Sequence, residues 1–302
     1  MGAQMGRVSG ALRATPDGSH VPVVEQHGAR IPMIGLGSVR FSGPDSVHLV
    51  RDALRLGYRH LDTAQNYGSE PEVGEGLQTS GLPRDAVFVT TKINPPNMAL
   101  DDLIRTTKES LTRLRLSEVD LLLLHWVPPE PFGLADTLGA LSRAKREGLT
   151  RHIGVSNFNI AAMEEAVRVS PEPLVCNQIE IHPYLDQSKV IAACRRLGFA
   201  VVAHCPIARG AIFGDPVIER IGKQHGRTAA QVTLRWLLQQ GIVVIPRSSK
   251  LERAAENFDI FGFELGAAEM AEIDALKRPN SRLITEAKWA KTWPYPWAPV
   301  WD

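Results

Sequence analysis

The sequence predicts an α/β chain closed as a (β/α)8 TIM barrel, and three observations predict it. Short apolar runs recur at 33–36, 60–62, 87–91, 119–124, 152–155, 174–179, 200–203 and 242–245. Most are continuous rather than alternating, the pattern of strands covered on both faces, as in a parallel sheet. Segments of helical period lie between them, for example 46–56, 103–114, 134–146, 161–169 and 229–239, and such β/α alternation calls for parallel strands. Eight units within 302 residues fit one barrel of roughly 250 residues better than two domains. Periodicity does not see closure, so an open doubly wound sheet is the alternative left at this level.

The elements follow in order. Residues 1–20 contain Gly, Ser and Arg but no apolar core of a secretory signal, and they are expected to form a flexible extension. Two β-prone pieces, 21–24 and 30–33, flank a turn at Gly28. They predict an N-terminal hairpin placed to plug one end of the barrel. In the first unit a helix pattern runs over 46–56, with apolar Val47, Leu49, Val50, Leu54 and Leu56 among charges. No low-complexity linker interrupts the rest, so residues 21–302 are expected to be a single domain. Four of the 6 tryptophans, Trp289, Trp293, Trp297 and Trp301, fall in the tail with Pro294, Pro296 and Pro299 between them. Because tails fray unless tied down, a proline-stiffened aromatic tail is expected to dock over the barrel mouth.

Composition narrows the partners. With 44% hydrophobic and 22% charged residues the chain is too apolar for disorder. Lys plus Arg number 34 against 33 Asp plus Glu, a net charge of +1, which speaks against a nucleic-acid partner. No apolar run approaches the ~20 residues of a membrane span. Cys176, Cys194 and Cys205 have neither disulfide nor zinc spacing, so no metal is expected and a reducing cytoplasm is the expected compartment. A monomer acting on a small molecule is the expected state.

Polar residues cluster where strands end. Asp62 closes the second run, with Tyr67 five residues on; Lys92 follows the third and His125 the fourth. Ser156 and Asn157 follow the fifth, Gln178 lies in the sixth, His204 ends the seventh, and Arg247 and Ser248 follow the eighth. Any one of these could be a hydrogen-bonded structural residue. In a (β/α)8 barrel, however, all of these ends converge on the face that holds the active site. A buried Lys and Asp would also be costly unless paired.

These residues resemble the aldo-keto reductase superfamily. The resemblance rests on Arg59-His-Leu-Asp62-Thr-Ala-Gln-Asn-Tyr67-Gly-Ser-Glu70, on Lys92 after 87–91 and on His125-Trp126 after Asp120. Gly154-Val-Ser-Asn-Phe158, Asn177-Gln-Ile-Glu-Ile-His-Pro183 and Ile245-Pro-Arg-Ser248 follow in the family's order. It runs from about residue 23 to about 280 and is closest to the bacterial 2,5-diketo-D-gluconate reductase type.

Carbonyl reduction needs a hydride, which no side chain supplies, and a proton at the developing oxyanion. A tyrosine with a free pKa near ~10 holds its proton tightly, and a neighbouring cation lowers it. Lys92 is the candidate cation, Asp62 its counter-ion, and His125 would orient the carbonyl. The resemblance implies the same roles, with Tyr67 as the acid. A G-x-G-x-x-G fingerprint is absent, since Arg40 stands where the third glycine would be. Arg247-Ser-Ser-Lys250 instead precedes a helical segment carrying Arg253, Glu256 and Asn257, a phosphate-site pattern. The resemblance implies NADPH as cofactor. Arg247, Ser248, Arg253, Glu256 and Asn257 would meet the adenosine 2′-phosphate end. Ser156, Asn157 and Gln178 would meet the nicotinamide carboxamide, with Gly37 and Ser38 near that end. His204 stands where many members have a stacking Tyr, and an imidazole stacks over less area. Trp126, Asn94, Trp289 and Trp293 are the expected pocket walls for an aldehyde or ketone of moderate size. The resemblance suggests keto-sugar acids, methylglyoxal or general aldehydes. Two rivals stand beside this reading: a barrel isomerase or lyase, and a catalytically weak nicotinamide-binding regulatory subunit.

Overall fold

A computed structural model describes residues 7–9 and 21–285; the tail tryptophans Trp289 and Trp293 and most of 1–20 lie outside the described residues. In chain order the strands are β1 (Arg7–Ser9), β2 (Val23–Gln26), β3 (Ala29–Pro32), β4 (Leu36–Gly37), β5 (His60–Asp62), β6 (Phe88–Ile93), β7 (Val119–Leu124), β8 (Thr150–Ser156), β9 (Leu174–Glu180), β10 (Ala200–His204) and β11 (Val243–Val244). The helices are α1 (Pro44–Leu56), α2 (Glu70–Ser80), α3 (Leu100–Leu114), α4 (Leu134–Arg146), α5 (Ile160–Val169), α6 (Ser188–Leu197), α7 (Pro216–His225), α8 (Ala229–Gln239), α9 (Leu251–Phe258) and α10 (Ala267–Asp274).

β4 to β11 form one parallel sheet in sequential order. Its two ends meet. Ile34 bridges Val244 and Gly37 bridges Arg247 in parallel. Across the seam Gly35 N–H donates to Val244 O at 2.9 Å and Val244 N–H to Met33 O at 2.9 Å. The sheet is therefore a closed barrel rather than the open alternative. β4 and β11 are shorter than their apolar runs because the seam is irregular, and Pro246 has no N–H to continue a ladder. Every residue of β7 and β9 is buried, as strands packed between an interior and a helical ring must be.

Local chemistry sets the helix ends. Asn159 caps α5 and Asp215 caps α7 through their side chains, and Thr228 with Gln231 forms a capping box on α8. The β2–β3 hairpin turns at His27 and Gly28, which have φ of 47° and 82°, both in the left-handed range that a two-residue hairpin turn requires. β1 adds antiparallel to β2. Gly198, just before β10 begins, lies so close to the turn that a Cβ there would stand 3.3 Å from His27 Nε2. The hairpin thus covers the end of the barrel where strands begin, and the polar strand ends face the other way.

Candidate active site

Asp62, the last residue of β5, and Lys92, on the adjacent β6, are both buried within the barrel mouth. Lys92 Nζ donates to Asp62 Oδ1 at 2.5 Å and to Thr63 O at 2.8 Å. Burial pulls the ammonium below its ordinary pKa, and Asp62 opposes that pull. The pair is thus a fixed ion pair in a low-dielectric setting, with the ammonium aimed by two acceptors.

Tyr67 ends a single 3-10 turn (Gln65–Tyr67) that follows β5. Gly68, in the left-handed region at φ 70°, turns the chain into α2. The Lys92 ammonium lies 5.0 Å from the Tyr67 ring centroid. The His125 ring meets Tyr67 edge-on at 5.6 Å, and Trp126 stacks beside His125 at 6.2 Å. All four catalytic candidates therefore converge. One expectation changes: the Tyr67 hydroxyl is held well above its ordinary pKa, by burial and then by the charge of Asp62. The Lys92 charge is largely balanced by Asp62, so it does not offset burial in the resting protein. Tyr67 consequently keeps its proton throughout the neutral range.

His125 is driven well below its ordinary pKa by burial, then by the Lys92 charge, so its ring is neutral. Its Nδ1 is buried without a partner among the described residues. An orphaned lone pair costs less than an orphaned N–H, which places the proton on Nε2 and makes that atom a donor.

The nicotinamide-end candidates form one connected network beside this centre. Gln178 Nε2 donates to Asp62 Oδ2 at 2.8 Å. Ser156 Oγ donates to Gln178 O at 2.7 Å. Asn157 Nδ2 donates to His125 O at 3.0 Å and Ser156 Oγ at 3.1 Å. Its Oδ1 lies 2.9 Å from His204 Nε2. Because that oxygen can only accept, His204 is the Nε2–H tautomer. Burial lowers its pKa to about 4, so it too is neutral. Ser38 Oγ donates to Asp62 O and shares a 3.0 Å hydrogen bond with Ser69. The Gly37 N–H is spent on Pro246 O across the seam.

The phosphate-end candidates lie apart from this centre, at the seam and the start of α9. Arg247 is exposed and donates to Val39 O at 3.1 Å. Ser248 Oγ is buried and closes a local turn onto Lys250. Glu256 accepts from Thr228 at 2.8 Å, and Asn257 is buried. Arg40, Arg247, Lys250 and Arg253 are all exposed, and none has a carboxylate partner among the described residues. Unneutralised cations beside a helix start fit a phosphate group, and this arrangement suits the 2′-phosphate end of NADPH. Trp126 is buried, and Asn94 is half-buried with its Oδ1 unpartnered among the described residues.

Glu180 at the end of β9 escaped sequence reading. Its carboxylate accepts from Leu283 N–H at 2.6 Å, Ile284 N–H at 2.9 Å and His182 Nε2 at 3.0 Å. Burial pushes its pKa up, but the His182 bond and the two backbone N–H bonds outweigh it and bring it to about 2. Nothing in the sequence marks a backbone N–H a hundred residues away as its partner.

Residues 33–278 match the model of the aldo/keto reductase family. The chain is 42% identical over 265 residues to methylglyoxal reductase DkgB of Yersinia pestis, covering 87% of this chain and 99% of that protein. A crystal structure of a protein provisionally named 2,5-diketo-D-gluconic acid reductase B superposes with TM-score 0.88 at 46% identity, covering 94% of this chain and 99% of that one. A Bombyx mori aldo-keto reductase crystallised with NADP has TM-score 0.84 at 32% identity over 93% of this chain and 99% of its own.

Proposed function

Because this chain belongs to the aldo/keto reductase family and is an NADPH-dependent oxidoreductase, we propose that it reduces an aldehyde or ketone to the alcohol, with Tyr67 as proton donor. The observation that carries the reading is the fully buried Lys92–Asp62 pair beside a protonated Tyr67 and a neutral His125. When bound, NADPH supplies the hydride to the carbonyl carbon. His125 Nε2–H hydrogen-bonds the carbonyl oxygen, which orients it and stabilises charge growing there. Tyr67 then gives that oxygen its proton, and the Lys92 ammonium stabilises the phenolate left behind. Asp62 and Thr63 O hold the ammonium in place, so it need not reorganise as the charge moves.

Ser156, Asn157, Gln178 and His204, with Gly37 and Ser38 at the same end, would hold the nicotinamide. Arg247, Ser248, Arg253, Glu256 and Asn257 would hold the 2′-phosphate end. Trp126 and Asn94 would wall the carbonyl pocket. The names of the relatives support small dicarbonyls and keto-sugar acids as substrates. The reading takes 21–302 as one domain, acting as a monomer in the cytoplasm.

The test is NADPH consumption against methylglyoxal, diketones, keto-sugar acids and bulky ketones, with Tyr67→Phe alongside. Turnover by the parent, lost at least about a hundred-fold in Tyr67→Phe with NADPH binding retained, is expected. A Tyr67→Phe enzyme that still turns over would remove Tyr67 as the acid. NADPH binding without turnover on any carbonyl would favour the regulatory-subunit reading.

A further inference from the structure

The Tyr67 hydroxyl has no hydrogen-bond partner among the described residues, so the turn that carries it must be positioned from elsewhere. The observed constraints lie at the other end of that turn. Gln65 Oε1 accepts from Asn94 N–H at 2.8 Å and from Asn97 Nδ2 at 2.9 Å. Gln65 Nε2 reaches Ser110 Oγ at 3.4 Å. Asn94 stands two residues beyond Lys92, directly after β6. Five residues after Gln65, the buried Glu70 accepts from Thr91 Oγ1 at 2.6 Å and from Arg113 Nε at 2.8 Å. Arg113 in turn donates to Ser110 at 3.1 Å. The segment carrying Tyr67 is therefore tied on both sides of that residue, by Gln65 and Glu70. It is tied to the β6 segment on both sides of Lys92, at Asn94 and Thr91.

We propose that Gln65 is a positioning residue, whose carboxamide oxygen fixes the Tyr67 turn relative to Lys92 and His125 by bonding Asn94 and Asn97. The proposal rests on Tyr67 being the proton donor. The essential feature is a two-fold acceptor. Gln65→Met keeps the length of the side chain and removes both acceptances, whereas Gln65→Glu keeps them and exchanges the amide donor facing Ser110 for a charged oxygen that the Ser110 hydroxyl can donate to. A misplaced donor lowers the chemical step more than it lowers binding.

The experiment measures kcat, KM, NADPH dissociation constant and melting temperature for Gln65→Met, Gln65→Glu and Asn97→Ala, with Tyr67→Phe as control. Gln65→Met is expected to lose roughly ten-fold or more in kcat, with the NADPH constant within about two-fold of the parent. Gln65→Glu should recover kcat to within about three-fold, and Asn97→Ala should fall between the two. Added to Gln65→Met, Asn97→Ala should cost little more, because the bond it removes is already gone. A Gln65→Met enzyme with parental kcat overturns the proposal, as does a Gln65→Glu enzyme no better than Gln65→Met. If Gln65→Met fails to fold, Asn97→Ala with parental kcat and melting temperature overturns it instead. Should Tyr67→Phe remain active, the acid assignment itself fails, an outcome distinct from any result at Gln65.

Discussion

At Lys92 the barrel encloses an ammonium with no exposed side-chain surface, and its partner Asp62 is 2% exposed. Removing one member of such a pair strands a buried charge. Lys92→Met is expected to destabilise the fold by about 3–5 kcal/mol. Lys92→Met with Asp62→Asn should be less destabilised than Lys92→Met alone, because the amide oxygen still serves Gln178 and no charge is stranded. Urea denaturation of the two variants checks this, and a double variant worse than the single would refute it. At the same scale, His204 donates to Asn157 Oδ1, which together with the two bonds from Asn157 Nδ2 fixes that carboxamide. That bond links residues 47 apart in sequence, so the residue type alone carried only the weaker-stacking expectation. Asp62, Tyr67, Lys92 and His125 were legible because each stands at or just beyond the end of an apolar run. The direction of the Tyr67 shift was not, because it depends on how completely Asp62 neutralises Lys92.

At the scale of elements, α9 is the cofactor's anionic end in the proposed reading. Its start gathers Lys250 and Arg253 beside Arg247 and Arg40, without acidic partners among the described residues. Arg253→Ala is expected to weaken NADPH about ten-fold or more, the loss of one charge-assisted hydrogen bond. NADH, which lacks the 2′-phosphate, should change much less. Titration of both nucleotides by fluorescence checks this, and an unchanged ratio of affinities would sink the assignment. The 3-10 turn bearing Tyr67 makes a different point. Three residues are too few for a periodic pattern, so the sequence showed a loop with a tyrosine. The braces at Gln65 and Glu70 give that loop its position. Glu180 does the same for residues 283–284, which it holds at the end of β9.

For the whole molecule, the buried histidines and Glu180 couple stability to pH in one direction below neutrality. Burial lowers His60 and His204 to about 4, so the folded protein refuses protons that the unfolded chain takes up near 6.5. Glu180, at about 2, adds the same sign below roughly 4.5. Stability should therefore be full above pH ~6.5, fall between 6.5 and 4 through the histidines, and fall further toward 2 through Glu180. Each group contributes on the order of 3 kcal/mol once fully titrated. Urea midpoints at pH 7, 5.5 and 4.5 should decline in that order, and a flat series would contradict the neutral buried histidines.

The sequence by itself determined the eight β/α units of a parallel sheet, the face of strand ends on which the candidate site lies and the four candidate residues at its centre. Each follows from local information: apolar runs of strand length, helical period between them, and polar residues where the runs stop. Tertiary structure decided what depends on distance between elements. It closed the seam between residues near 34 and 244, left Tyr67 protonated, set the tautomer of His204, and joined Gln65 to Asn94 and Glu180 to 283–284. Periodicity reports which way a side chain faces along its own element. Hydrogen bonds and charge compensation are set by what stands opposite, and only the assembled barrel brings those partners together.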